Sequence, residues 1–254
     1  ASLARPVNSA LSSILRESRD AAFSAAESGD PVLFFTHGDD PLIDGEVTVF
    51  TTLLWEHPHR VINGDSLLIL PPYPAVILST LAPIQAWEEF EASGLAVDVR
   101  AYPRREGALP FMAARYNGAS DPQGFTPLEP VMFADGSQLE GWRVRWVGNR
   151  WRVSTLWRVI DALPDESIQQ FTHLYRAVDD VNAAPYLGSD VALSVHTWEI
   201  GDRVIVMSDF FDVLPGDGYT LAVGHYRLDD GSRILLQSGA DRILIEAVRV
   251  EETP

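Results

Sequence analysis

The chain has 254 residues, of which 46% are hydrophobic and 22% charged, so it holds enough apolar material for one large or two average domains. It carries 36 acidic and 19 basic residues, a net charge of −17, and the resulting repulsion argues against nucleic-acid binding and polybasic membrane contacts. The sequence contains neither lysine nor cysteine, which excludes Schiff-base, P-loop and thiol chemistry as well as disulfides.

The first half of the chain predicts helices that alternate with short strands. Apolar residues spaced three and four apart predict an amphipathic helix over residues 8–28, and the apolar run 32–36 predicts a strand covered on both faces. Further helices are predicted at 45–55, capped by Asp44, and at 83–93, and further strands at 59–62, 67–70, 75–79, 97–102 and 111–116. This alternation favours a three-layer α/β unit, Rossmann-like in plan.

The second half of the chain predicts strands alone. Residues 117–130 are rich in Gly, Pro, Ser and Asp and predict a linker. Strands are then predicted at 138–146, 150–159, 168–177, 203–213, 219–228 and 242–250. Polar turns separate them, which is typical of an antiparallel β-sandwich of the jelly-roll or immunoglobulin-like kind. We therefore expect an α+β protein with an α/β domain at 1–120 and a β-sandwich domain at 121–254.

Short segments in both halves carry a resemblance to a known family. They are residues 30–33 (DPVL), 37–41 (HGDDP), 49–50 (VF), 58–64 (PHRVING), 68–71 (LILP), 133–142 (FADGSQLEGW), 155–158 (TLWR), 171–174 (FTHL) and 219–226 (YTLAVGHY). Together they resemble the soluble C-terminal region of polytopic membrane glycosyltransferases of Chloroflexi-like bacteria. Those enzymes are similar to the dolichyl-phosphate-mannose protein mannosyltransferase superfamily.

The resemblance implies a location outside the cytoplasmic membrane, with the membrane-embedded part of the parent protein upstream of Ala1. It also implies a task connected with a glycan or a lipid-linked sugar acceptor. In such enzymes catalysis uses acidic residues in loops among transmembrane helices, and no such residue can be matched to this sequence. We therefore expect a noncatalytic accessory module with no cofactor and no metal.

Two other functions stay open at this point. The first is a structural scaffold that only holds protein partners, and a large exposed apolar patch would favour it. The second is a freestanding hydrolase that uses His37 with Asp39 or Asp40.

Two places in the sequence are candidate ligand-binding sites. His37, Asp39 and Asp40 directly follow the first buried strand, and ligands of open α/β sheets bind beyond the carboxyl ends of strands. This segment is predicted to bind a hydroxyl-rich ligand or a divalent cation, although a capped, solvated loop explains the same residues. Trp198, in a loop-like stretch, is the preferred candidate for an exposed ring that stacks on a sugar, whereas most other aromatic residues are expected in the core.

The remaining polar clusters are better explained as turns and loops. His37, His57 and His59 contain ring nitrogens that suit a metal, but their spacing does not define a site. The segments 217–218 and 229–232 contain the oxygen ligands that calcium prefers, but hairpin turns use the same Asp and Gly residues.

Overall fold

The computed structural model describes residues 9–40, 42–79, 84–104, 107–118, 120–164 and 166–251. Over these ranges it contains three α-helices and fifteen strands, which makes the fold mixed α+β and mostly β. The chain divides into two compact units, unit 1 (Ala1–Gln123) and unit 2 (Gly124–Pro254), and the predicted boundary lies at residue 120. No helix in the described ranges is long and apolar enough to cross a membrane.

Unit 1 is a mixed sheet with helices beside it. Its elements are α1 (Ser9–Ala26), β1 (Val32–Thr36), α2 (Gly45–Leu53), β2 (His59–Asn63), β3 (Leu67–Leu70), β4 (Ala75–Ser79), α3 (Gln85–Ala92), β5 (Val97–Tyr102) and β6 (Phe111–Tyr116). The sheet order is β2-β1-β4-β6-β5, with β1 parallel to β2 and β4, and with β6 antiparallel to β4 and β5. Pro83, with which the third predicted helix begins, lies outside the described residues.

Helices pack on both faces of this sheet. Neighbouring residues of a strand point to opposite faces, so adjacent residues of β1 contact different helices or the segments beside them. Phe34 of β1 stacks on Phe50 of α2 with ring centroids 4.0 Å apart. Phe35 points to the opposite face, which lies beside Gly64 and Ile84, the residue before α3. A Cβ atom added to Gly64 would lie 3.1 Å from the Cβ atom of Phe35 and 2.9 Å from Cδ1 of Ile84. Burial on both faces explains why β1 is an unbroken apolar run.

The start of α2 is fixed by the cap that the sequence predicts. The Asp44 carboxylate accepts hydrogen bonds from the backbone N–H groups of Glu46 at 2.8 Å and Val47 at 3.4 Å. These are two of the N–H groups that a helix leaves without an internal partner. The cap therefore positions Val47 and Phe50, which are buried in the core of unit 1.

Unit 2 consists of strands and one short 3₁₀ turn. Its elements are β7 (Thr126–Met132), β8 (Ser137–Val147), β9 (Arg150–Val159), β10 (Ile168–Tyr175), β11 (Leu187–Leu193), η1 (Val195–Thr197), β12 (Arg203–Phe210), β13 (Gly216–Arg227), β14 (Arg233–Ile234) and β15 (Ile243–Val250). One sheet contains the order β12-β9-β8-β7, and the other contains β11-β10-β13-β14 with β15 also paired to β13. The described pairings within the unit are antiparallel.

The linker prediction for residues 117–130 is wrong in its second part, because β7 begins at Thr126. β7 contains Pro127 and Pro130, and its register against β8 shifts between Pro127 and Val131. Proline lacks an N–H group and is therefore tolerated in a strand at the edge of a sheet. Of the strands in the described ranges, β7 pairs with β8 alone.

The two sheets of unit 2 meet through a buried polar network. The indole N–H of Trp157 donates to Thr155 Oγ1 at 2.9 Å and to Gln170 Oε1 at 2.8 Å. The amide of Gln170 donates to Thr172 Oγ1 at 3.0 Å, and that hydroxyl lies 2.9 Å from Ser208 Oγ. Because these side chains come from β9, β10 and β12, the hydrogen bonds join one sheet to the other.

Candidate ligand-binding site

The loop after β1 brings His37 close to a residue that the sequence did not single out. The Nδ1 atom of His37 lies 2.6 Å from Oδ1 of Asp65, and both side chains are about half exposed. Asp65 lies in the turn after β2, and β1 and β2 are adjacent parallel strands whose carboxyl ends meet. Asp40 accepts a hydrogen bond from the backbone N–H of Leu42, and the half-buried Asp39 is engaged within the fold. Pro41, which ends the predicted loop, lies outside the described residues.

The histidines near this loop are used by the fold itself. His57 Nε2 lies 2.8 Å from the carbonyl oxygen of Asp30, and His59 Nδ1 lies 2.8 Å from the carbonyl oxygen of His57. Nowhere in the described ranges do three His, Asp or Glu side chains form a group able to hold a metal ion.

The turn at 229–232 is stabilised by a local hydrogen bond, in which Asp230 accepts from the backbone N–H of Ser232 at 2.8 Å.

Trp198 is not the exposed ring that the stacking prediction requires. Only 7% of the residue is exposed; it directly follows the 3₁₀ turn, and its backbone N–H donates to the carbonyl oxygen of Val195 at 3.0 Å. The side chain lines a cavity of about 360 Å³ whose other walls include Leu163, Pro164 and Ile200. The prediction that the Trp198 ring is exposed is therefore wrong, and the residue instead lines this cavity together with His196 and apolar residues.

A stronger candidate lies on the face of β10 that points away from the buried network. Gln169, Phe171 and His173 share this face because they are two residues apart, whereas Gln170 and Thr172 point into the core. The register sets Gln169 opposite Tyr226 of β13 and Phe171 opposite Asp190 of β11. It also sets Arg233 of β14 opposite Tyr226. We call these six residues the β10 polar face.

Polar groups converge at the centre of this face. The Tyr226 hydroxyl lies within hydrogen-bond distance of Gln169 Oε1 and 3.1 Å from Asp190 Oδ2. A phenol has one proton, so it donates to only one of these two oxygens at a time. Burial and the contact with Asp190 raise the pKa of Tyr226, which therefore keeps its proton at neutral pH.

Arg233 is held by aromatic rings and not by a carboxylate. Its guanidinium carbon lies 3.9 Å from the ring centroid of Phe171 and 5.4 Å from that of Tyr226. Such stacking orients a guanidinium while leaving its N–H donors in the plane of the group. Arg233 is exposed and forms no ion pair or side-chain hydrogen bond in the described part of the chain. Within the described residues its N–H donors are therefore left available to a ligand.

A glycine makes room for this arrangement. A Cβ atom on Gly224 would lie 2.5 Å from Cζ of Phe171 and 2.7 Å from the backbone oxygen of Asp241. Gly224 is paired directly with Phe171, so the missing side chain lets the ring lie across β13. The ring in that position is the support on which Arg233 stacks.

His173 adds a neutral donor and acceptor to the same face. Its Nε2 lies 4.0 Å from Asp190 Oδ1, and Gly188 on the paired strand leaves the imidazole partly exposed. Burial lowers the pKa of His173, Arg233 and Arg242 lower it further, and Asp190 only partly opposes them. The imidazole is therefore uncharged at neutral pH and offers one N–H and one lone pair.

A second polar set, by contrast, is sealed inside unit 2. Asp135, 5% exposed, accepts from the backbone N–H of Ser137 at 2.9 Å and from its hydroxyl at 2.6 Å. The other carboxylate oxygen lies 2.8 Å from Nδ1 of His225, which is fully buried. Ser137 thus bonds to the carboxylate and not to the imidazole, and no substrate reaches it. This Ser, Asp and His set has the composition of a hydrolase triad without its connectivity.

None of the six residues of the β10 polar face is among the residues predicted from the sequence to bind a ligand. The polar residues Gln169 and His173 at alternate positions of a predicted strand were a usable signal. Asp190 lies on β11, which was not predicted as a strand, and its proximity to Tyr226 depends on a pairing that sequence spacing does not reveal.

No protein family matches the chain, and no curated protein is significantly similar to it. The functional assignment therefore depends on the side chains themselves.

Proposed function

We propose that this chain is a noncatalytic, extracytoplasmic accessory module of a membrane glycosyltransferase-like protein. In this role it binds a glycan or a lipid-linked sugar acceptor on the β10 polar face. In finer terms, we propose that unit 1 is a Rossmann-like three-layer domain and unit 2 an antiparallel β-sandwich. The observation that carries the proposal is the set of outward donors and acceptors around Tyr226, supported from below by Phe171.

Sugar chemistry fits this set of groups. Each hydroxyl of a sugar both donates and accepts hydrogen bonds, and adjacent hydroxyls suit planar groups with two donors or two acceptors. Arg233 supplies the paired donors, Asp190 the paired acceptors, and the neutral His173 one of each. The half-buried ring of Tyr226 supplies an apolar surface for the C–H face of a pyranose.

The same groups are poorly suited to cleaving a glycosidic bond. Hydrolysis of that bond generally uses two carboxyl groups, one as acid and one as base or nucleophile. The β10 polar face contains one carboxylate, Asp190, which is exposed and already shared with Tyr226. Binding without turnover is therefore the function that these residues support.

Binding to a glycan array followed by calorimetric titration of the best ligand tests the proposal. Arg233→Gln and Tyr226→Phe are expected to weaken binding at least tenfold, because the first removes N–H donors and the second removes the hydroxyl that positions Gln169 and Asp190. Arg249→Gln and Asp217→Asn are the matched controls, since that ion pair is on the same unit and its side chains are 71% and 79% exposed. An array that stays silent, or an Arg233→Gln variant that binds as well as Arg249→Gln, would contradict the proposal.

A further inference from the structure

Unit 1 contains a cavity of about 250 Å³ between the C-terminal part of α1 and strands β4, β5 and β6. Small or short side chains leave this space open, and those on its apolar wall are almost fully buried: Ala25, Val76, Ala113 and Ala114. The cavity is open to solvent, and the charged side chains that line it, Glu27, Asp98 and Arg100, are exposed. A volume of this size suits a ligand of roughly the size of an amino acid.

Charges of both signs line the opening. Arg115 lies 3.5 Å from Asp30, so its charge is compensated within the protein. Glu27, Asp98 and Arg100 are exposed and form no ion pair or side-chain hydrogen bond within the described ranges. The opening thus carries two uncompensated carboxylates and one uncompensated guanidinium.

The backbone at Asp98 has an irregular conformation that places these charges. The pairing of β5 with β6 shifts register between Val97 and Arg100, and Asp98 has φ of 53°. Residues other than glycine rarely adopt a positive φ, although Asp and Asn tolerate it best. Bulges of this kind reorient side chains and occur preferentially beside binding sites.

The end of α1 adds to the negative character of one side of the cavity. The last carbonyl groups of a helix carry partial negative charge, which a Lys or Arg in the final turn usually balances. The last turn of α1 contains no basic residue, and Glu27 follows directly after it. A cation from outside the protein would therefore be stabilised here by the helix end and by a carboxylate together.

We propose that this cavity binds a small zwitterion of the α-amino acid class. The ligand carboxylate pairs with Arg100, which presents two parallel N–H donors. The ammonium group lies between Glu27, Asp98 and the end of α1, and the ligand side chain contacts Ala25, Val76 and Ala113. This function goes beyond glycan binding, because it uses a different unit and a ligand with charges of both signs.

A thermal-shift screen of the twenty common amino acids, followed by calorimetry, is the first test. The tightest amino acid is then compared with its decarboxylated amine and with its deaminated acid. We expect the amino acid to bind at least tenfold more tightly than either analogue, since each analogue lacks one of the two charges. Failure of every amino acid to bind, or equal affinity for an analogue, would overturn the proposal.

Substitutions locate the site. Arg100→Gln and the double variant Glu27→Gln, Asp98→Asn are each expected to weaken binding at least tenfold, and Asn keeps the left-handed backbone available at position 98. Arg19→Gln is the control, because Arg19 is on α1 and pairs with its exposed neighbour Asp20 at 2.7 Å. An Arg100→Gln variant with the affinity of Arg19→Gln would refute the assignment. Glycan binding is expected to stay unchanged in all these variants, so failure of this proposal and failure of the glycan proposal are separate results.

Discussion

The buried pair formed by Asp135 and His225 is expected to be a main source of stability in unit 2. Asp135→Ala removes the acceptor of three buried donors, namely the N–H and hydroxyl of Ser137 and Nδ1 of His225. His225→Phe removes one of those donors but keeps a ring between Phe133 and Trp157, whose centroids lie 4.9 Å and 4.4 Å away. The two substitutions therefore separate the polar contact from the packing.

The magnitudes follow from what each substitution leaves unpaired. Each buried donor left without its acceptor costs about 1–3 kcal/mol, and Asp135→Ala leaves three such donors, so its expected cost is about 3–5 kcal/mol. Loss of a single hydrogen bond to a charged acceptor costs about 1.5–3 kcal/mol, which is the expectation for His225→Phe. In the double variant Asp135 is already absent, so replacing His225 breaks no further hydrogen bond with it. The total cost of the double variant is therefore about 3–5 kcal/mol, well below the sum of the two single costs.

Urea denaturation at pH 7, followed by tryptophan fluorescence, measures this difference. Costs that add within about 0.5 kcal/mol would refute a direct interaction between the two side chains. The exposed pair of Arg249 and Asp217 serves as the control, and removal of either partner is expected to leave the unfolding midpoint unchanged.

The same pair predicts a pH dependence. Burial raises the pKa of Asp135, but hydrogen bonds from His225 and Ser137 and the electrostatic interaction with His225 outweigh it and hold the pKa below its ordinary value. A carboxyl with a lowered pKa stabilises the folded state fully above its unfolded pKa of about 3.9, and this contribution is lost as the pH falls through the folded value. The stability difference between the wild type and Asp135→Ala is therefore expected to shrink below that pH. A constant difference down to pH 2 would contradict the shift.

Three further results are expected. Asp44→Ala removes the cap of α2 and is expected to lower the free energy of unfolding by about 1 kcal/mol, measured by urea denaturation. Gly224→Ala is expected to displace Phe171, to cost about 1–3 kcal/mol and to weaken glycan binding, and unchanged binding would argue against the role of that ring. In an NMR titration the His173 midpoint is expected below 6.5, and Asp190→Asn is expected to lower it further, whereas a midpoint above 6.5 would contradict the described surroundings.

Local sequence patterns predicted most of the helices and strands. The strands at 97–102 and 111–116 have their predicted bounds, and Asp44 caps α2 as its position before the apolar residues indicates. These features depend on residues close together in the chain, namely apolar spacing and a capping side chain, so they are visible without knowledge of the tertiary structure.

The candidate site was less predictable, because it depends on pairing between distant segments. Tyr226 and Asp190 are 36 residues apart and meet only through the register of β10 with β11 and β13. Trp198 shows the opposite error, since its loop-like surroundings suggested exposure whereas the residue, which directly follows a short 3₁₀ turn, is buried. The spacing of residues along the chain predicts neither the strand pairing that brings Tyr226 to Asp190 nor the burial of Trp198.

Strand β7, with its two prolines, has a consequence for self-association. An outermost strand offers a row of free N–H and C=O groups to which a second molecule can add its own strand. Pro127 and Pro130 have no N–H group to offer to an added strand, and at β5 in unit 1 the irregular backbone at Asp98 interrupts the regular ladder. Strands β5 and β7 are thus poor templates for growth into fibrils, even though Val97 and Val99 of β5 are exposed.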